Sequence, residues 1–121
     1  VDIRPADPEK QVLLLSGGNQ QKVVIGKWLM RNLKVLIVDE PTAGVDVGAK
    51  NEIYGILERL ARDGVTVILI SSDLEELLRV SHRILVMRKG QIQREFSEGL
   101  VSQSDILEAA SGFSSGEEAV V

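Results

Sequence analysis

The chain has 121 residues, 44% hydrophobic and 26% charged, with 18 acidic against 14 basic side chains and a net charge of -4. These proportions exclude wholesale disorder, and the acidic balance excludes a general nucleic-acid binder. With no cysteine and one histidine, His82, disulfide frameworks, thiol catalysis, cysteine-held metals and His-pair metal sites are excluded too.

Aromatic residues are only 3%, so the core is expected to be aliphatic. By size the chain is one domain. No unbroken apolar run exceeds four residues, as at 35–38, against roughly 18–20 for a membrane span. Val1-Asp2-Ile3-Arg4-Pro5 shows no basic-then-apolar secretory pattern and no initiator Met. A cytosolic protein is expected, and a piece of a longer one.

In chain order, residues 1–11, with Pro5 and Pro8, predict an irregular lead-in. After the apolar run 12–15, Ser16-Gly17-Gly18-Asn19 reads as a loop and helix-start signal. The helix that follows carries Val23, Val24, Lys27, Trp28 and Met30, and Asn32 closes it. Trp28 is read as core or as a contact between subdomains. Val35-Leu36-Ile37-Val38 suits a buried parallel strand, ended by Asp39-Glu40-Pro41. Asp46 caps a helix to about Arg62, with Ala49, Ile53, Ile56, Leu57 and Leu60 on one face and Asp63-Gly64 as its stop. Residues 65–70 read as a second buried strand. Ser72 and Glu75 fit a capping box for a short helix to about Val80. Residues 83–87 and 91–96 predict a hairpin turning at Lys89-Gly90. Residues 104–110 predict a final helix, and 111–121 a flexible tail. The alternation of strand and helix predicts an α/β layer with a parallel sheet, plus the C-terminal β-hairpin. Function in such sheets gathers at the carboxyl ends of the strands. Glu75-Glu76 and Glu117-Glu118 read as solvated faces, and His82 as a partly exposed helix-end residue.

Two segments carry chemistry. Asp39-Glu40 after an apolar strand can divide labour: one carboxylate for hydrated Mg²⁺, the next to orient or deprotonate a water. Taken alone, the pair can equally just end a strand. Leu15-Ser16-Gly17-Gly18-Asn19-Gln20-Gln21-Lys22 offers two glycines for close backbone approach, a hydroxyl, and a helix N-terminus, which together make an anion cradle. Taken alone, it is equally an ordinary Gly-rich helix start.

In combination and in this order, the loop 15–22, the strand with Asp39-Glu40-Pro41-Thr42, and Ala43-Gly44-Val45-Asp46 resemble the C-terminal half of an ATP-binding-cassette (ABC) ATPase. They match its signature loop, Walker B strand and D-loop. Asp46-Val47-Gly48-Ala49-Lys50 and Asn19-Gln20-Gln21-Lys22 further resemble the second nucleotide-binding domain of bacterial ribose-, galactose- and xylose-type sugar importers. The likeness runs over about 13–110, so residues 12–110 are expected to be the C-terminal part of such a domain. The fold implied is a partial P-loop NTPase-like one. The resemblance implies that Ser16, Gly17, Gly18, Asn19 and Gln20 contact an ATP held by the opposing domain. It implies that Asp39 coordinates Mg²⁺ through water, that Glu40 is the catalytic base and that Asp46 couples the two sites at the interface. Ser72, in Ile70-Ser71-Ser72-Asp73, takes the place of the family's switch histidine. A hydroxyl has neither the imidazole's charge nor its reach.

No Gly-x4-Gly-Lys-Ser/Thr loop occurs in the sequence, and the Walker A half is expected to precede Val1. The implied partners are a second nucleotide-binding domain, membrane permease subunits and, indirectly, a periplasmic sugar-binding protein. The implied place is the cytoplasmic face of the bacterial inner membrane. A rival reading is a non-hydrolysing half that completes its partner's ATP site. ABC ATPases of DNA repair or translation are disfavoured by the acidic charge. Because the glycine loop is expected to lie outside the core, Gly18→Asp is expected to spare folding.

Overall fold

The computed structural model describes residues 1–97 and 99–112. The chain divides into two compact units, Val1–Ile70 and one from Ser71 onward.

In the first unit a short 3-10 helix, Val12–Leu14, precedes helix α1, Gly17–Leu29. Strand β1 is Val35–Asp39, helix α2 is Val47–Arg62 and strand β2 is Thr66–Ile70. β1 and β2 pair in parallel, Val35 opposite Thr66 and Asp39 opposite Ile70. The crossover between them is α2, as a parallel pair requires. The spacing of Ile53, Ile56 and Leu57 explains α2: all three are buried, with Ala49 and Leu60 packed beside them. Ile25, Leu36 and Val45 complete this aliphatic core. Burying a side chain such as Ile53, fully enclosed here, is worth about 1.5–3 kcal/mol.

The strands depart from the expected two-sided burial. Leu36 is buried, whereas Val35 and Ile37 are 50% and 63% exposed. Ile68 and Ile70 likewise stand exposed on β2. Alternate residues point to opposite faces of a sheet, so one face packs on the core and the other is an open apolar surface.

Helix α1 also buries a different face from the expected one. Its buried residues are Gly18, Lys22 and Ile25, with Leu29 half-buried. Val24 and Met30 are exposed, and Trp28 is 43% exposed rather than core. The Lys27 ammonium and the Arg31 guanidinium each lie 5.9 Å from the Trp28 ring centre, within cation–π range.

The second unit holds helix α3, Leu74–Val80, strands β3, Arg83–Arg88, and β4, Gln91–Ser97, and helix α4, Gln103–Ser111. β3 and β4 form an antiparallel hairpin with a register shift at Val86/Met87. Its two-residue turn has Lys89 at φ +50° and Gly90 at φ +76°. Positive φ at both positions matches the right-handed twist of the flanking strands. Ile84, Val86 and Ile106 make its core, packed by Leu77, Leu78 and Phe96.

Three expectations fail here. The cap of α3 is Asp73, not Ser72: its carboxylate accepts from the Glu75 and Glu76 amides at 3.0 and 3.2 Å. A carboxylate at the N-cap outcompetes the neighbouring hydroxyl by its charge. Glu76 is not on a solvated face; it is 2% exposed. The last helix continues through Ser111 and ends at Gly112, φ +76°, where a flexible tail was expected. The rest of that tail, with Glu117-Glu118, lies outside the described residues. Among the described residues no helix is long and apolar enough to cross a membrane.

Candidate functional site

The glycine-rich segment is helical earlier than its composition suggests. Ser16 is itself the N-cap, and Gly17 and Gly18 form the first turn of α1. The Ser16 hydroxyl oxygen accepts from the Asn19 amide at 3.4 Å and from Asn19 Nδ2 at 3.0 Å. Asn19 Nδ2 also donates to the Arg4 carbonyl at 2.6 Å, and the Arg4 amide returns a bond to Asn19 Oδ1 at 3.1 Å. Gln20 Nε2 donates to the Leu15 carbonyl at 2.9 Å. Asn19 and Gln20, expected as ligand contacts, are thus tied to their own chain and shape the loop around Ser16. The amides of Gly17 and Gly18 have no acceptor within the helix. With the positive end of the α1 dipole, they make an anion-attracting terminus.

Gly18 is buried, not part of an open loop. A Cβ built there falls 2.4 Å from Ala49 Cβ of α2. Contrary to the expectation from sequence, Gly18→Asp is therefore expected to disturb the packing of α1 on α2. Gly17 is exposed and its nearest neighbour across space is the Gly44 carbonyl.

Asp39 ends β1 and is exposed. Glu40 leaves the strand with φ +45°, a left-handed conformation that is unusual and strained for a side-chain-bearing residue. Its amide donates to the Ile70 carbonyl at 2.8 Å, extending the ladder by one bond. Pro41 and Thr42 are buried directly behind. The turn closes through Ala43 N to Glu40 O and Val45 N to Thr42 O, both 3.2 Å, with Gly44 at φ +69°. It delivers the chain to Asp46, which caps α2 by accepting from the Ala49 amide at 3.0 Å. Asp46 has this structural task whatever else it does.

The caps of α1 and α2 meet at one cleft of about 230 Å³, lined by Arg4, Ser16, Asn19, Lys22, Asp46, Gly48, Ala49 and Glu52. The arrangement thus brings Ser16, Asn19 and Asp46 together. Asp39, Glu40, Gly17, Gly18 and Gln20 are not in its lining. Arg4 donates to Asp2 at 3.0 Å and holds that carboxyl below its ordinary value, while its own pKa rises. Ser72, in the second unit, is exposed; beside it Ser71 Oγ accepts from the Asp73 amide at 3.0 Å.

Among the described residues no three His, Cys, Asp or Glu side chains gather as a metal cage. The pair Asp39-Glu40 nonetheless fits Mg²⁺, which keeps waters, takes one or two carboxylates and draws remaining ligands from substrate phosphates.

Lys22 closes the glycine-rich motif, but its pattern assigns its side chain no role, and Glu52 lies outside the motifs. Lys22 is 5% exposed; its Nζ donates to the Asp2 carbonyl at 2.8 Å and to the Glu52 carboxylate. The signal was present: 18, 22, 25 and 29 recur at helical spacing, which sets Lys22 on the inward face.

A family model described as ABC transporter matches residues 2–43. An arabinose import ATP-binding protein of Pseudomonas savastanoi pv. phaseolicola is 49% identical over 91% of this chain and 22% of that protein. A ribose import ATP-binding protein of Geobacillus kaustophilus is 48% identical over 93% of this chain and 23% of its own length. The chain thus spans less than a quarter of these relatives. Among solved structures, a nucleotide-free ATP-binding cassette from an ABC transporter aligns with a TM-score of 0.67 at 33% identity, over 81% of this chain and 37% of that one. A dimeric post-hydrolysis ATP-binding cassette bound to ADP and Pi aligns at 0.69 and 29%, over 78% and 41%. The fold matches part of an ABC ATPase cassette, and these relatives bear out the resemblance drawn from the motifs.

Proposed function

We propose that this chain, a stretch of ABC transporter ATPase sequence and fold, supplies the signature-loop and Walker B part of an ATP-hydrolysing subunit that drives uptake of a simple sugar. The observation that carries the reading is the shared cleft: the caps of α1 and α2 meet there, and the turn 40–46 links the second to Asp39-Glu40. Sugar import is common to the similar proteins described above, arabinose and ribose among them.

In this reading Ser16 and the amides of Gly17 and Gly18 offer donors to the terminal phosphate of an ATP held by an opposing nucleotide-binding domain. Asn19 and Gln20 keep those donors aimed. Asp39 holds Mg²⁺ through water. When bound, that ion neutralises charge on the transferring phosphate. Glu40 takes the proton of the attacking water, and its left-handed backbone turns the residue out of the strand's alternation. Asp46 joins the two sites across the interface. The remaining partners are membrane permease subunits and, through them, a periplasmic sugar-binding protein. The subunit works at the cytoplasmic face of the inner membrane. Residues 12–110 make up the C-terminal part of the nucleotide-binding domain.

Ser72 supports a second reading, in which this half does not hydrolyse and only completes its partner's site. Glu40→Gln in the full-length subunit separates the two. A working base is worth on the order of 10²–10⁴-fold. Loss of that size in ATPase turnover, with unchanged melting, supports the hydrolytic reading. Undiminished turnover sinks it in favour of the second. Ser16→Ala, followed by ATPase activity and sugar uptake, tests the loop itself; full activity there sinks both.

A further inference from the structure

Lys22 and Glu52 occupy equivalent places on two helices. Lys22 is the sixth residue after the cap Ser16, and Glu52 the sixth after the cap Asp46. Gly18 meets Ala49 near those caps, and Lys22 meets Glu52 about one turn further along. The two contacts advance in the same sense on both helices, so both caps lie at one end, over the shared cleft. The Lys22 side chain is 6% exposed, whereas Glu52 is 54% exposed. The ammonium is therefore enclosed and its second acceptor, the Asp2 carbonyl, comes from the lead-in. An enclosed ammonium tolerates few positions, because leaving a partner means losing a charge-assisted bond without water to replace it. Sliding or rotating α1 against α2 would break it.

We propose that Lys22 and Glu52 are positioning residues that hold the Ser16 loop in register with the Asp46 turn. The inference rests on the function proposed above. Lys22 touches no nucleotide; it acts through Ser16. A displacement of about 1 Å at a reacting centre can cost up to 10²-fold in rate. The Gly18–Ala49 contact fixes how closely the helices approach, and the ion pair fixes how they slide.

The test uses the full-length subunit with Mg-ATP, measuring kcat, KM and melting. Lys22→Met and Glu52→Gln are each expected to lower kcat by about ten- to a hundredfold, with KM changed less than about twofold. Ser16→Ala combined with Lys22→Met is expected to be no slower than Ser16→Ala alone, within about twofold, because both act through one loop. Wild-type kcat in a folded Lys22→Met subunit overturns the proposal. So do multiplicative losses in the double variant, which mark a purely structural role. Glu52→Gln, altering the exposed partner, decides the matter should Lys22→Met not fold. If Ser16→Ala itself keeps full activity, the functional reading has failed; if Ser16→Ala is impaired and only the coupling is missing, the positioning role alone has failed.

Discussion

Gly18 shows how much one missing methyl group can decide. Alanine is the better helix former by about 1 kcal/mol, so an exposed glycine in α1 would gain from the change. At Gly18 the added Cβ would sit 2.4 Å from Ala49, closer than real carbons approach. Overpacking of that kind costs about 1–3 kcal/mol, so the clash wins. Gly18→Ala is expected to lower the unfolding free energy on the order of 1 kcal/mol in denaturant titrations. Adding Ala49→Gly is expected to recover most of the packing loss, whereas Gly17→Ala, with only the Gly44 carbonyl at 3.7 Å, brings no clash. A single variant equal to wild type would mean that the helices separate freely there. Neither this contact nor the φ of +45° at Glu40 was legible in the string of letters. Both arise from what tertiary neighbours demand, and a motif names only the residue types.

At the scale of elements, sequence pattern located every α-helix and strand among the described residues but not the 3-10 helix Val12–Leu14, and caps were read less well. The Ser-x-x-acid spacing occurs at Ser72–Glu75 and at Ser102–Asp105, and only the second is a capping box. Asp73, one residue after Ser72, took the first helix because one charged oxygen, Oδ1, reaches two amides. In the second box Ser102 N and Oγ both donate to Asp105 Oδ2 at 2.8 Å, and Asp105 N donates back to Ser102 Oγ at 3.1 Å. The Ser102 amide, then its hydroxyl, hold the Asp105 carboxyl below its ordinary value of 3.8. A depressed carboxylate contributes stability above its unfolded value and loses it as the pH falls through the folded one. Unfolding midpoints of wild type and Asp105→Asn are therefore expected to differ at pH 5–7 and to converge below about pH 3.8. A gap that persists in strong acid would put the cap's contribution elsewhere. Helix α1 shows the converse: its apolar pattern points to Trp28 and Met30, while Lys22, a charge, holds the inward position.

For the molecule as a whole, the continuous apolar runs in β1 and β2 were the truest and the most misleading signal. Such runs belong to strands covered on both faces. Here α1 and α2 cover one face, and Val35, Ile37, Ile68 and Ile70 lie open on the other. The runs thus imply a covering layer that the described residues of the first unit do not supply, in keeping with a span under half that of the solved cassettes. Open apolar strands with unpaired edges invite pairing with further copies. Ile37→Lys with Ile68→Lys is expected to shift the isolated chain toward monomer in sedimentation velocity, with helical circular dichroism unchanged. Equal self-association in both would show that this face is not responsible. The two carboxylates, the anion-attracting helix start and the capping Asp46 were all legible as residue types. Their spacing in three dimensions, and the clamp behind them, were not, because the pairs that make it lie thirty or so positions apart in the chain.

Trp28 gives helix α1 an optical label of its own. It is the chain's only indole, half open to solvent and flanked by the Lys27 cation on the same helix and the Arg31 cation just past its end. Emission from such a ring depends on how wet it is and on the nearby charge. Anything that settles on the outer face of α1, or tilts the helix away from its neighbours, changes both. The chain therefore reports on its own most consequential helix without a dye or an added probe.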